Sequence, residues 1–529
     1  MKKAQLICLC ILISIPAFPQ DWKTYPYSPP GSRISFPADE GRHPSEPEEW
    51  WYTAGHLTGL TSGNHYSFML TYFYHPDFGF DGFRILNLAN DDAGLFFSET
   101  LPVTYSNLAT NRLEIKATKF PSGTESWQNK KDGNGDPLPF QYIISAASGK
   151  GTLNLEYNAL KAPLIVADSG FLYQGDSHYT YYYSLTSNEV SGSVSINGTT
   201  ENVIGTAWID RQYGTINPYS GNQYEWLSVQ LSNGMDLNIW NIFTADDRIP
   251  EGEKYRILAA YVNETTQFTT TDFTLERLKF AFMNDGKACY SQEWRLTSAR
   301  NNIDILITTI HAGNEVQLPF RFYEGATTVS GTVNGTEVTG TGFAELLHSY
   351  SQPELTMANE QDWSPSTPLK WRIINPDDGN PLLFDLEYSK DNLNFLPVAS
   401  GISDSIYYWN DPPLGMGETF WIKLTAYSTD KTLSNTVVTQ FMVAEGNGLE
   451  EGGAEALVRL YPNPSRGEVI IEGEGIQIVK IYDIHGKTIL ALENNRHMQT
   501  ISSGNLPKGY YFVRIVTNNG AMVRPVIIE

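Results

Sequence analysis

Cysteine is nearly absent. The 529-residue chain has three, and Cys8 and Cys10 lie in the apolar run "AQLICLCILISIPAF" that follows Met1-Lys2-Lys3. A basic start, an apolar run and then the polar "PQDWKTY" is the order of a secretory leader covering residues 1–20. Cys289 is then the one cysteine of the mature chain, so a disulfide framework is excluded and stability rests on packing. Cys8 and Cys10 each follow a bulky aliphatic where a lipoprotein signal needs a small residue. Long apolar runs are lacking too. No later segment approaches the roughly eighteen apolar residues of a membrane span, so no transmembrane segment is expected in the mature chain. Positive charge is scarce: 36 Lys and Arg stand against 59 Asp and Glu, a formal net charge of -23. Such a surface repels nucleic acid and anionic headgroups, which excludes nucleic-acid partners.

Several motifs of chemistry are missing. His43, His56, His65 and His75 fall close together, but without the spacing of a His-Glu-x-x-His site, and no metal is expected. "DGNGDP" (132–137) starts like a calcium loop, yet Pro137 replaces the required glycine and Ile143 the closing glutamate. There is no Gly-x-Ser-x-Gly elbow, phosphate loop or dinucleotide fingerprint. No cofactor is implied.

What is present is glycine, proline and aromatic residues: 44, 29 and 13%. These favour short strands joined by tight turns, and the class expected is all-β. Alternating stretches such as "HYSFMLTYFY" (65–74) and "NIDILITTI" (302–310) predict an antiparallel meander over 33–350. An internal echo lies within it. "NEVSGSV" (188–194) with "GTAWID" (205–210) returns as "TTVSGTV" (327–333) with "GTGFAE" (340–345), which predicts two related β-domains, 21–244 and 245–350. Residues 353–445 change rhythm. Trp371, "LEYS" (386–389) and "FWIKLTAYS" (420–428) resemble a fibronectin type III or immunoglobulin-like module. A Gly/Glu-rich linker over 446–457 leads to 458–529, where "LYPNPSRGEVII" and "LPKGYYFVRIVTNNG" closely resemble the C-terminal sorting domain of type IX secretion cargo. That resemblance implies the type IX machinery as partner, export across the outer membrane, and a secreted or surface-attached destination.

"EEWWYTAGHLTG" (48–59), "YYYSLT" (181–186), "GTAWIDRQYG" (205–214), "YEWLSVQLSNGMDLNIW" (224–240) and "FYEGATTVSGTV" (322–333) together resemble the tandem lipocalin-like proteins related to carotenoid 1,2-hydratase, also called AttH-like. The resemblance spans about 33–350. It implies two packed lipocalin-like β-barrels, followed here by two small β-sandwich domains, and a pocket for an apolar, isoprenoid- or lipid-like ligand. In the family's hydratases the essential acid sits in a Tyr-x-Asp pair, with a His-x-Trp pair one strand upstream. Asp210 falls at the acid and Trp208 at the tyrosine, while Tyr181 and Tyr183 replace the upstream pair. The implied chemistry is alkene protonation by Asp210 and capture of the cation by water, with Trp51, Trp208, Tyr181 and Tyr183 as ligand-binding walls. Glu49 is a second catalytic candidate, set against a plainer pairing with Arg42; for Asp210 the plainer reading is a pairing with Arg211. The alternatives at this stage are a hydratase or isomerase, a non-catalytic carrier at the cell surface, and a spacer role for the 353–445 module.

Overall fold

The computed structural model describes residues 21–529 except 78, 216–220, 359–362, 366, 445–457, 485, 503–505 and 519. The leader and the 446–457 linker lie outside the described residues. Apart from a three-residue 3-10 turn at Ala38–Glu40, the described elements are strands. No helix among them is long and apolar enough to cross a membrane.

Ten strands form the first sheet's ring. It runs from Glu48–Gly59 through His65–Asp77, Phe80–Asn90 and Leu95–Leu108 to Gly151–Ala159. Gly151–Ala159 pairs with His178–Ile196, which pairs with Thr199–Gly214, which returns to Glu48–Gly59 and closes the barrel. Closure leaves the ring itself without end strands, although the short strands Leu164–Ile165 and Phe171–Gln174 attach to His178–Ile196 outside it. Alternate side chains fill the lumen, among them Trp127, Tyr142, Tyr157 and Leu155, each at most 1% exposed.

The second sheet does not close. Gln223–Leu231, Asp236–Phe243, Arg256–Asn263 and Thr266–Thr270 lie on one side of Thr336–Leu346. Phe322–Val333, Ile303–Thr309, Cys289–Ser298 and Thr274–Phe282 lie on the other, and the two end strands do not pair. The expected pair of barrels is therefore one closed barrel and one curled open sheet with its own core. The chain changes sheets between Gly214 and Gln223, earlier than the expected boundary at 244, because the strands at 223–231 and 236–243 pair with residues after 250.

The echo is structural. His178–Ile196 and Thr199–Gly214 form one hairpin, Phe322–Val333 and Thr336–Leu346 the other. Each turns on an Asn-Gly pair with positive φ, Asn197-Gly198 (51° and 82°) and Asn334-Gly335 (52° and 72°). This is the two-residue turn whose twist suits a hairpin. Gly192 and Gly331 hold equivalent places in these hairpins, at φ of 152° and 151°. A Cβ there would run into the carbonyl oxygen of Asn154 or Asp304 on the neighbouring strand.

A third apolar cluster lies between the two sheets, joining Tyr52, Met69, Ile85, Tyr182 and Trp208 to Trp226, Trp240, Phe322 and Phe343. After residue 350 come a three-stranded sheet (Leu355–Met357, Leu369–Ile373, Ile406–Tyr407) and a four-stranded sheet (Leu382–Ser389, Leu396–Ile402, Thr419–Ser428, Ser434–Met442). Most of this module belongs to one compact unit with the two large sheets. It covers an edge: Asp430 accepts the backbone N–H of Phe280 at 2.8 Å, and Leu433 packs with Phe280, Cys289 and Tyr350. The second unit is built mainly from residues 442–529, around a five-stranded antiparallel sheet that includes Glu468–Tyr482, Gly509–Thr517 and Gly520–Ile528. Its core holds Val479, Ile481, Val513 and Ile515.

Candidate functional site

Along Glu48–Gly59 successive side chains take opposite faces. Glu49 and Trp51 enter the closed barrel, whereas Trp50 and Tyr52 face outward toward the second sheet. The space between the sheets there is an open-mouthed cavity lined by Trp50, Tyr52, Phe73, Trp226, Trp240 and Phe322 among others. Concave, aromatic, with a few polar groups, it has the character of a small-molecule site.

Asp210 lies in its wall and is 3% exposed. Register places it opposite Ser184 on one side and Tyr52 on the other. Three donors converge on its carboxyl: Tyr182 Oη on Oδ2 at 2.5 Å, and Ser184 Oγ and Trp208 Nε1 on Oδ1, both at 2.6 Å. Tyr182 in turn accepts from Asn238 Nδ2 at 2.6 Å and Trp226 Nε1 at 3.0 Å, so the opposite sheet helps to fix the acid. Burial pushes the Asp210 carboxyl up to about 7, against the three hydrogen bonds that favour its charged form and with a further push from Glu345. It is an acid that exchanges its proton near neutral pH.

The other expected site residues separate by face. Trp208 is 1% exposed, holds Asp210 and sets its ring edge-on to Trp226 at 6.3 Å. None of the four expected wall residues, Trp51, Trp208, Tyr181 and Tyr183, lines the cavity; Trp208 lies behind Asp210. Trp51 and Tyr183 belong to the barrel interior, and Tyr181 packs against that core, stacked on Tyr213 at 4.8 Å. The upstream pair that meets Asp210 is instead Tyr182 and Ser184. Alternation requires this, because Ser184 lies opposite Asp210 and every second residue shares its face.

Glu49 is also on the inner face. It is clasped by Arg42 and Arg211, accepts the His43 backbone N–H at 2.7 Å, and is 0% exposed. Burial alone would raise its carboxyl, yet Arg211, His43 and Arg42 hold it below the usual range. A carboxylate so paired is no proton donor. The Arg211 guanidinium stacks on Trp51 at 4.0 Å and serves Glu49, not Asp210.

Two further acids come from the second hairpin. Glu345 lines the cavity, and Glu324 is its cross-strand neighbour. Tyr52 donates to Glu324 Oε1 at 2.9 Å and Tyr224 donates to Glu345. Both carboxyls are raised, Glu324 strongly, first by burial and, for Glu324, by the charge of Glu345. Glu345 stands where Asp210 stands in the first hairpin, as the echo "GTGFAE" indicates; nothing in the sequence singles out Glu324. Of the four N-terminal histidines, His56 is held neutral, its ring pushed down to about 4 by burial, against the hydrogen bond to the Gly342 carbonyl at 3.0 Å that favours its charged form. Among the described residues no group of three His, Cys, Asp or Glu side chains could hold a metal ion.

Comparison with known proteins places this architecture. Kievitone hydratase of Fusarium solani subsp. phaseoli is 25% identical over 316 residues, 56% of this chain and 82% of that protein. An AttH-type structure from Nitrosomonas europaea shares the fold with a TM-score of 0.52 and 22% identity, over 61% of this chain and 98% of its own. Kievitone hydratase from Nectria haematococca gives 0.49 and 17%, over 62% of this chain and 99% of its own. Residues 459–529 match the secretion-system C-terminal sorting domain, the type IX address for export to the cell surface or beyond. With residues 27–350 matching the AttH-like family, this exported chain belongs to that family.

Proposed function

We propose that this protein binds an apolar, isoprenoid- or lipid-like ligand in the cavity between its two large sheets and hydrates or isomerises it, with Asp210 as the proton donor. The observation that carries this reading is one buried carboxyl, raised to about 7, in an aromatic wall. Thr71 Oγ1 and Trp240 Nε1 belong to residues of the same wall and have no hydrogen-bond partner among the described residues, which suits an apolar ligand bearing an oxygen. A hydratase among the relatives fits the same chemistry.

In the reaction, protonated Asp210 delivers its proton to one alkene carbon, and the π electrons form the new C–H bond. The adjacent tertiary carbon becomes a cation facing aromatic rings such as Trp50 and Trp226, whose quadrupoles stabilise it. Water adds through an oxygen lone pair and loses a proton, and the Asp210 carboxylate is reprotonated. The sum is alkene plus water to alcohol. The site residues of this reading are Asp210 as acid, Tyr182, Ser184 and Trp208 as its holders, and the cavity aromatics as ligand wall.

A second reading has an observation of its own. Both Asp210 oxygens are already occupied by donors from its own sheet, and one of these, Tyr182, accepts from Trp226 and Asn238 of the second sheet, as in a structural carboxylate at a sheet junction. The protein is then a surface lipid carrier, with its 353–445 module, fibronectin-like in rhythm, bracing the sheets. The full chain incubated with a lipid and isoprenoid extract, followed by mass spectrometry, decides between them. Gain of one water or a shifted double bond, lost at least about 100-fold in Asp210→Asn, is the expected result for a positioned general acid. Unchanged ligand held equally by both forms makes it a carrier.

A further inference from the structure

The cavity has an acid on each side, and the second has no part in the reaction as described so far. Glu324 and Glu345 sit directly across from each other in the second hairpin, on the strands Phe322–Val333 and Thr336–Leu346. Glu324 is 2% exposed, and its Oε2 has no donor among the described residues. Glu345 is only partly covered, because it opens onto the cavity. Among the described residues no cation offsets either: the groups acting on the pair are the two carboxyls themselves and the hydroxyls of Tyr52 and Tyr224. A third acid of the cavity, Asp210, feels the charge of Glu345, which helps it to retain its proton. Tyr182, which also faces this group through Tyr224, carries its own proton.

Two carboxylates held together in a dry site cannot both ionise. The orphaned Glu324 Oε2 is satisfied when it carries a proton and donates it to Glu345, which leaves Glu345 the charged member and the one that reaches the cavity. We propose that Glu324 and Glu345 share one proton, and that Glu345 is the cavity's general base, taking the proton released when water attacks the cation made by Asp210. This deepens the function proposed above and rests on it.

The step balances. Asp210 gives its proton to carbon, water forms the C–O bond with a lone pair, and the oxonium proton passes to Glu345. Glu345 then loses a proton to solvent through the open mouth while Asp210 regains one. Glu324 is a positioning residue. It holds the shared proton and keeps the negative charge on the Glu345 side. If Glu345 takes a proton from a carbon next to the cation instead of from water, the product is the shifted alkene. Donor and base then come from equivalent positions of the two hairpins, 210 and 345, so the duplicated unit supplies both halves of the proton transfer.

The test uses the full chain and two measurements. Infrared spectroscopy with carbon-labelled glutamate reads the pair without any ligand. A protonated glutamate band at neutral pH that disappears in Glu324→Gln is expected; a spectrum in which that substitution removes no such band overturns the proposal. Turnover is read with geraniol as the isoprenoid alkene probe in water labelled with heavy oxygen, folding of each variant being checked by circular dichroism. Glu345→Gln should lose at least about 10-fold in kcat with KM little changed. Glu324→Gln, whose amide still donates to Glu345, should keep most of the activity that Glu324→Ala loses, and should flatten the alkaline side of the pH profile. Wild-type rate in Glu345→Gln overturns the base while leaving Asp210 as acid. No labelled alcohol and no shifted alkene from the wild type overturns the parent reading and the base together, and the infrared result then stands as a structural acid pair.

Discussion

A carboxyl that keeps its proton to about pH 7 in the folded chain, against 3.8 for an ordinary aspartate, links stability to pH. Between those values the folded state holds a proton that the unfolded state has released. Stability therefore falls as pH rises through that window and levels off above it, a cost on the order of 4 kcal/mol for a fully buried group. Asp210→Asn removes this slope. Urea denaturation should show the variant gaining on the wild type between pH 4 and pH 8, and parallel stability curves would mean that Asp210 is charged throughout. Glu49 behaves oppositely, because its charge is matched. Glu49→Ala leaves Arg211, 1% exposed, without its carboxylate and should lower stability by about 3–5 kcal/mol, read as a drop in Tm.

At this scale the sequence was legible to within one residue. "GTAWID" points to Asp210, which lines the cavity, and to Trp208, which donates to Asp210 from behind and is not part of the ligand wall expected of it. "EEWWYT" has a large aromatic on each face, so alternation alone leaves the inward face undecided. In "YYYSLT" three consecutive tyrosines hide the face as well. A bulge between Leu185 and Asn188 also shifts the register between "VSGSV" and the tyrosines, so counting back from the echo lands one residue off. Glu324 needs its partner across the hairpin to become visible.

Among the elements, the paired hairpins carry the most information. Their resemblance is set by backbone demands: an Asn-Gly turn, a glycine whose neighbouring strand leaves no room for a Cβ, then an aromatic and an acid two residues apart. Gly192→Ala and Gly331→Ala should each destabilise by about 1–3 kcal/mol, since both the positive φ and the carbonyl contact oppose a side chain. Equal shifts in urea midpoint are expected for the two, and a neutral result at either would separate the hairpins. Strand existence was readable throughout 33–350, because half-buried strands alternate visibly. Closure was not. Whether two end strands meet depends on tilt and stagger around the whole ring, which no local pattern encodes.

For the molecule as a whole, the module after residue 350 is more than a spacer. It supplies Asp430 to an edge strand and Leu433 to the cluster around Cys289. Arg277, ion-paired with Glu225, reaches the Gly379 carbonyl at 3.4 Å, so a buried charge also sits at this joint. Cys289 is 1% exposed and burial pushes its thiol up to about 12. A maleimide reagent should leave it untouched in the intact chain and label it once 353–445 is deleted. Protection in the deleted form would return the module to a spacer role. The boundary near 245 was misplaced for a related reason: strands that follow one another in the chain need not join the same sheet, and only their pairing partners reveal the change.

The junction between the two large sheets also sets an order of events. The barrel's ring waits for residues 199–214 to reach 48–59, and the far wall of the cavity waits for 322–346. Until that second wall arrives, Asp210 lies on an outer surface open to water, where a carboxyl ionises like any other. Its readiness to hold a proton is thus created by docking, and the infrared band of a protonated aspartate that is lost in Asp210→Asn times the moment at which an emerging chain becomes chemically competent.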